Sequence, residues 1–336
     1  MKRSIIILAG LLVTTGLSLT LLSQQPPSQR PSQNSAQGNR PPVIRVDVAL
    51  VPLSVSVVDK EGNGVEGLTQ ANFQVLEDNV VQDITLFRHE DSPVSLGLVV
   101  DSSGSMKNKK ERVHSAALAF VKESNPDDET FLVAFADEAF LQQDFTGSMG
   151  DLVDALDALD PRLETAMYDA IYLSVDHVKK GKLNKKALLV ISDGEDTASK
   201  WGFNKVLQHV QESKDVTIYA VGILEENDSR SGGLFNKSPQ KKAREALKEI
   251  AEASGGQAFF PKSIDQVEEI CRRIARDLRN QYTLGFISKN DKQDGSFRKI
   301  AVKLVNPPKQ AGKVEPRTRD GYFAPGGPDV PAGSSR

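Results

Sequence analysis

The chain has 336 residues, which is enough for more than one domain, and its 39% hydrophobic and 26% charged residues are the composition of an ordinary globular protein. The formal net charge of -3 argues against a nucleic-acid-binding protein, because such proteins usually present a basic surface. The single cysteine, Cys271, cannot form an intramolecular disulfide, and the four histidines lack the spacing of a zinc site.

Residues 1–22 have the pattern of an export signal. Lys2 and Arg3 precede an uncharged, largely apolar run over 5–22. The run is long for a cleaved peptide and just long enough to span a bilayer, so a cleaved signal peptide and an uncleaved membrane anchor both stay open. In either case we expect the rest of the chain outside the cytoplasm: periplasmic, extracellular or anchored to the membrane.

The segments on either side of the chain's central part predict β structure. After a disordered Pro/Gln/Ser linker over 23–42, alternating apolar residues and turns predict the first part of a β-domain over 43–92. A similar pattern of alternating apolar residues and turns predicts the second part of this β-domain over 281–325, before a disordered tail over 326–336. We expect the two parts to pair in a small β-sandwich with the central domain inserted between them. Two separate small β modules are the alternative.

Residues 93–280 predict an α/β domain. Nearly continuous apolar runs such as "VSLGLVVD" and "KALLVISD" are typical of strands that are covered on both faces. Amphipathic segments such as "KKERVHSAALAFVKES" lie between these runs. This alternation predicts an open, doubly wound, mostly parallel sheet.

Oxygen-bearing side chains follow two of the predicted strands and precede one helix. Asp101, Ser103 and Ser105 follow the first strand, Thr165 precedes a helix, and Asp193 follows another strand. Because function in such a sheet sits at the carboxyl ends of the strands, we expect these five side chains to converge. Two carboxylates and three hydroxyls are the hard oxygen ligands that suit Mg²⁺. The five residues are therefore predicted metal ligands.

Each of these loops also has a purely structural interpretation. Asp and Ser after a strand often cap a helix, and Thr165 before "AMYDAI" has the same option. The sequence "SDGED" around Asp193 is compatible with a simple turn. The metal-site interpretation depends on all three loops together.

The set "DSSGS" at 101–105, with Thr165 and "DG" at 193–194, resembles the metal-ion-dependent adhesion site of von Willebrand factor type A domains. The resemblance covers roughly the α/β region and implies a six-stranded sheet with bound Mg²⁺ or Mn²⁺. It implies that Asp101, Ser103, Ser105, Thr165 and Asp193 hold the ion directly or through water. The flanking β segments and export signal resemble a bacterial exported subgroup. Where many members have glycines before the threonine, this chain has Leu163 and Glu164.

The expected function is metal-dependent protein binding of the adhesion type, without enzymatic activity. The loops carry no nucleophilic elbow and no phosphate-binding sequence. The resemblance implies that an Asp or Glu side chain of a protein partner completes the coordination of the metal. An envelope scaffold with a degenerate metal site is the first alternative, and a Mg²⁺-dependent hydrolase is the second. The segment 225–240, after a strand end, is a candidate for setting partner choice.

Overall fold

The computed structural model of the protein describes residues 50–59, 63–89, 91–123, 125–159, 164–193, 196–224, 239–307 and 314–326. The predicted export signal, the linker and the tail apart from residue 326 lie outside these ranges, as does most of the segment 225–240. The helices of the described residues are all too short or too polar to cross a membrane.

The middle of the chain forms a six-stranded sheet that is parallel except at one edge. Its strand order is β10-β9-β8-β5-β6-β7, and only β7 runs antiparallel to its neighbour. The strands are β5 (Val94–Asp101), β6 (Glu129–Phe135), β7 (Ala139–Thr146), β8 (Lys185–Ser192), β9 (Val216–Gly222) and β10 (Ala258–Phe259).

Helices cover both faces of this sheet, which explains the continuous apolar runs of its central strands. All eight residues of β5 are buried. Leu98 belongs to the core on one face and Val99 to the core on the other, because successive side chains of a strand point to opposite faces. One layer contains α1 (Lys110–Glu123), α2 (Met149–Asp157) and α6 (Val267–Arg279), and the other contains α3 (Met167–Val178), α4 (Phe203–Glu212) and α5 (Pro239–Ala253).

Strands from before and after this region form two four-stranded antiparallel sheets. Their orders are β13-β1-β11-β4 and β14-β12-β2-β3, and both sheets contribute side chains to one apolar core. The strands before the central region are β1 (Leu50–Val58), β2 (Phe73–Glu77), β3 (Val80–Gln82) and β4 (Ile84–Arg88). Those after it are β11 (Tyr282–Ile287), β12 (Phe297–Leu304), β13 (Glu315–Arg317) and β14 (Gly321–Phe323).

Strands from before and after the central region pair directly, β1 with β11 and β2 with β12. The protein therefore has the predicted fold class, a doubly wound α/β sheet with an accompanying antiparallel β-sandwich. Strand β7 was not among the predicted strands, because its residues are mostly half-buried or exposed and give no apolar run.

Candidate functional site

Two adjacent parallel strands carry the predicted aspartates to the same edge of the sheet. The register pairs Val100 of β5 with Ile191 of β8, so that Asp101 stands level with Ser192, the residue before Asp193. Asp101 and Asp193 therefore lie at neighbouring strand ends, as the predicted topology requires.

The Asp101 carboxylate is buried and held from two sides. Asp101 is only 3% exposed. Oδ1 accepts a hydrogen bond from the backbone N–H of Ser103 at 2.8 Å, and Oδ2 accepts one from the hydroxyl of Ser192 at 2.6 Å. Burial raises the pKa of Asp101, and the charge of Asp193 adds to this, while the hydrogen bonds from Ser192 and Ser103 oppose it. Asp101 is thus a carboxylate in a site where a nearby cation would be strongly favourable.

The serine hydroxyls connect the first loop to Asp193. The Oγ atoms of Ser103 and Ser105 lie 3.0 Å apart, and Ser105 Oγ donates to Asp193 Oδ1 at 2.8 Å. Ser103 is 1% exposed, whereas Ser105 is exposed. The structure therefore joins Asp101, Ser103, Ser105 and Asp193 in one connected polar cluster.

Lys109 also contacts this cluster. Its Nζ donates to Asp193 Oδ2 at 2.6 Å, and the exposed fractions of the two side chains are 17% for Lys109 and 1% for Asp193. Together Ser105 and Lys109 engage both carboxylate oxygens of Asp193. An ammonium group therefore lies directly against one of the predicted metal ligands.

Thr165 is buried beside the loop that follows Asp193, and its backbone forms hydrogen bonds with that loop. Its N–H donates to Thr197 Oγ1 at 3.0 Å, and its carbonyl accepts from the N–H groups of Thr197 and Ala198 at 2.8 and 3.1 Å. Thr165 is 6% exposed. The N-cap of α3 is Ala166, without a side-chain capping bond, so the helix-cap interpretation of Thr165 does not apply.

The helix-cap interpretation of the first loop does not account for its contacts, because Ser103 precedes the short 3-10 helix Gly104–Met106 without a side-chain capping bond. The bond from the Ser103 N–H to Asp101 is the local contact that an Asp in a turn usually makes. A turn does not require Ser105 to reach Asp193, which is 88 residues away. The clustering of separate loops favours a shared binding role.

Sequence reasoning missed Ser192 and Lys109. Ser192 is the last residue of the apolar strand β8, so the sequence alone suggests no separate role for it. Because a buried serine needs a hydrogen-bond partner, its position was the available signal. Lys109 immediately precedes α1, where the positive end of the helix dipole disfavours a cation. The run "KNKK" at a helix start was therefore a signal that something else holds a lysine there.

The donors present suit a hard divalent cation. In an octahedral magnesium site with metal–oxygen distances of about 2.1 Å, neighbouring ligand oxygens are about 3.0 Å apart. The 3.0 Å between Ser103 and Ser105 and the 2.8 Å between Ser105 and Asp193 match such edges, and are also normal hydrogen-bond lengths. Within the described residues no group of three or more His, Cys, Asp or Glu side chains is placed to hold a metal. The five predicted ligands do not form such a group, because only two of them, Asp101 and Asp193, are carboxylates.

A small cavity of about 20 Å³ opens beside the first loop and is lined by Asp101, Ser103, Met106 and His114, among others. His114 Nδ1 faces Asp157 Oδ1 at 3.5 Å, and burial lowers the pKa of this histidine. Among the hydrogen bonds of the described residues, none joins the His114 ring to Ser103 or Ser105. His114 is therefore not placed as a general base for these serines, and Ser105 instead donates to the Asp193 carboxylate.

Solved structures that resemble the chain are distant from it. The BatB protein of Bacteroides thetaiotaomicron is 18% identical, with 55% of this chain and 98% of that chain covered and a TM-score of 0.42. A von Willebrand factor type A protein from Catenulispora acidiphila is 11% identical, with 84% and 75% covered and a TM-score of 0.47. The vWF domain of the type V pili tip protein Mfa5 from Porphyromonas gingivalis is 15% identical, with 55% and 95% covered and a TM-score of 0.43.

A search of the curated proteins finds no match to this chain. One family model matches a segment that is less than a third of the chain and that contains all five predicted ligands. That segment, residues 96–195, matches the von Willebrand factor type A domain.

Proposed function

We propose that the protein is a binding module outside the cytoplasm that captures a protein partner through a Mg²⁺ or Mn²⁺ ion. The ion is held by Asp101, Ser103, Ser105, Thr165 and Asp193, and an Asp or Glu side chain of the partner completes its coordination. The hydrogen bond of Ser105 to Asp193 carries this proposal, because it brings oxygen donors of two separate loops together at neighbouring strand ends.

The charge of the donor set supports the exchange of an outer ligand. Two carboxylates balance the charge of a divalent ion without excess negative charge, and the five donors leave one of about six octahedral positions for an incoming carboxylate oxygen. Asp101 is 3% exposed, and an ion beside it sits in a sheltered, low-dielectric crevice where such attraction is stronger than in water. Binding of an acidic side chain is therefore the chemistry that the site serves best.

The same arrangement gives little support to hydrolysis. Among the hydrogen bonds of the described residues, none joins a histidine to the two serines, and the carboxylate that accepts from Ser105, that of Asp193, is already paired with Lys109. We accordingly propose a non-enzymatic role. Only metal-dependent binding distinguishes the proposed binding module from an envelope scaffold with a degenerate metal site.

The location rests on residues 1–22, whose basic start and apolar run favour export. An exported binding module would present its strand-end crevice to partners in the envelope or beyond it. A fusion of residues 1–42 to a reporter that is active only outside the cytoplasm tests this assignment separately from the metal site.

The experiment is partner capture from envelope extract by the immobilised chain, with EDTA and after Mg²⁺ or Mn²⁺ is added back. A parallel extract has its carboxylates amidated with carbodiimide. The test variant is Asp101→Asn, and the matched control is Asp154→Asn, because Asp154 is an exposed residue of α2.

We expect capture that EDTA abolishes, that metal restores, and that both amidation and Asp101→Asn prevent. The Asp154→Asn control captures like the wild type. Capture that persists in EDTA and in Asp101→Asn would assign partner binding to another surface. Metal-dependent turnover of a phosphate ester that Asp193→Ala removes would replace the binding module by the hydrolase.

A further inference from the structure

We propose that Lys109 is a built-in competitor of the divalent ion, which enters the site only by displacing the lysine ammonium from Asp193. This inference rests on the proposed function, since it concerns the regulation of the same site. It makes the module responsive to divalent-ion concentration, with a neutralised form at low metal and a partner-binding form at high metal.

The geometry of Asp193 is the first support. Its two carboxylate oxygens are taken up by Ser105 at 2.8 Å and Lys109 at 2.6 Å, and its side chain is 1% exposed. No face of this carboxylate is turned to solvent for an ion to approach freely. An ion that uses Asp193 must therefore exchange with, or crowd against, the ammonium group.

The charges are the second support. Asp101 and Asp193 lie at neighbouring strand ends, and the ammonium neutralises one of the two carboxylates when no ion is bound. A divalent ion at the same carboxylate meets direct repulsion from that ammonium, which weakens its binding. The lysine thus stabilises the metal-free form and disfavours the metal-bound form.

The local backbone fixes the lysine in this place. Lys109 N–H donates to the Met106 carbonyl at 2.8 Å, and the Lys109 carbonyl accepts from the Val113 N–H at 3.0 Å. The residue is therefore tied both to the serine loop and to the first turn of α1. A cation at this end of a helix is unfavourable by itself, so its contact with Asp193 compensates a local cost.

The test measures Mn²⁺ binding by electron paramagnetic resonance titration and by calorimetry on the full chain. The variant is Lys109→Met, with Lys109→Gln as a milder change that keeps a hydrogen-bond donor. The matched control is Lys107→Met, which removes the same charge from an exposed side chain of the same loop.

We expect Lys109→Met and Lys109→Gln to bind Mn²⁺ about tenfold more tightly or better than the wild type, because the competing charge is gone, and Lys107→Met to change affinity by less than about threefold. In EDTA we expect Lys109→Met to unfold at lower denaturant than Lys107→Met, because the buried Asp193 loses its partner.

The outcomes separate this inference from the proposed function. Equal Mn²⁺ affinity in the wild type and Lys109→Met would overturn the competition and leave the metal-dependent function standing. Binding by Lys109→Met but not by the wild type would support the competition and overturn metal dependence in the native chain. Binding by neither would overturn both.

Discussion

Ser105 Oγ donates a hydrogen bond to Asp193 Oδ1 at 2.8 Å, although the two residues are 88 positions apart in the chain. The contact exists because β5 and β8 are adjacent and parallel, so that the loops after them leave the sheet at the same edge. Ser192, at the end of β8, completes the connection by donating to Asp101. The polar cluster is thus a direct consequence of strand order.

The hydroxyl of Ser192 is expected to stabilise the fold through Asp101. Ser192→Ala leaves one oxygen of a buried carboxylate without its 2.6 Å donor. We expect the free energy of unfolding to fall by about 1–3 kcal/mol, as for other hydrogen bonds to buried charged groups. Denaturant unfolding in EDTA measures this change.

The control for that variant is Ser174→Ala in α3. Ser174 is also fully buried, but its Oγ has no hydrogen-bond partner among the described residues. Removing an unpaired buried hydroxyl should change the stability by less than about 1 kcal/mol or increase it. If the two variants lose equal stability, Ser192 does not support Asp101 in the way described.

A half-buried lysine away from the site predicts a specific pH dependence. Burial lowers the pKa of Lys185 to about 8, against the attraction of Asp91, Asp277 and Asp128. Between this value and the ordinary lysine value near 10.5, the unfolded chain binds more protons at this position than the folded chain. The contribution of Lys185 to the free energy of unfolding therefore rises as the pH rises from about 8 to about 10.

Lys185→Met isolates this contribution. The wild type gains stability from Lys185 as the pH rises through that window, and the variant does not. We therefore expect the free energy of unfolding of Lys185→Met to fall relative to that of the wild type, measured by urea unfolding at fixed ionic strength. The exposed Lys180, changed to Met, is the control. A difference between wild type and Lys185→Met that stays constant with pH would contradict the lowered pKa.

The β-sandwich contains a buried ion pair that should be costly to break on one side only. Arg298 of β12 and Glu77 of β2 lie 3.1 Å apart, and both side chains are 2% exposed. Arg298→Leu leaves the Glu77 charge buried without its cation and should cost about 3–5 kcal/mol in urea unfolding.

The double variant Glu77→Leu, Arg298→Leu removes both charges and should recover much of that loss. Its Mn²⁺ binding should equal that of the wild type, because neither residue belongs to the polar cluster of predicted ligands. A single variant that loses less than about 1 kcal/mol would show that the pair does not stabilise the sandwich.

The sequence predicted the fold class because it depends on patterns within short segments, and the role of the loops as metal ligands stays a prediction. The apolar run of β5 and the oxygen donors that follow it are visible in "VSLGLVVDSSGS". The half-exposed β7 lacks such a run, because an edge strand buries less of its surface. Its antiparallel pairing with β6 could not be read from its residues alone.

Contacts between distant segments were the harder part of the site. The contact of Lys109 with Asp193 depends on the path of the chain between the serine loop and α1, which composition does not determine. The support of Asp101 by Ser192 depends on strand register. For Thr165, the structure gives the position of the backbone and its link to Thr197, and its role as a ligand stays a prediction.

The most direct test of the account is a Mn²⁺ titration of the full chain followed by electron paramagnetic resonance, with Asp101→Asn and Thr165→Ala as variants from two different loops. Thr85→Ala in β4 of the sandwich is the control. The account predicts saturable binding of one ion by the wild type and the control, no binding by Asp101→Asn, and weakened binding by Thr165→Ala. A wild type without saturable binding, or variants that bind Mn²⁺ like the wild type, would contradict the convergence of these residues on one ion.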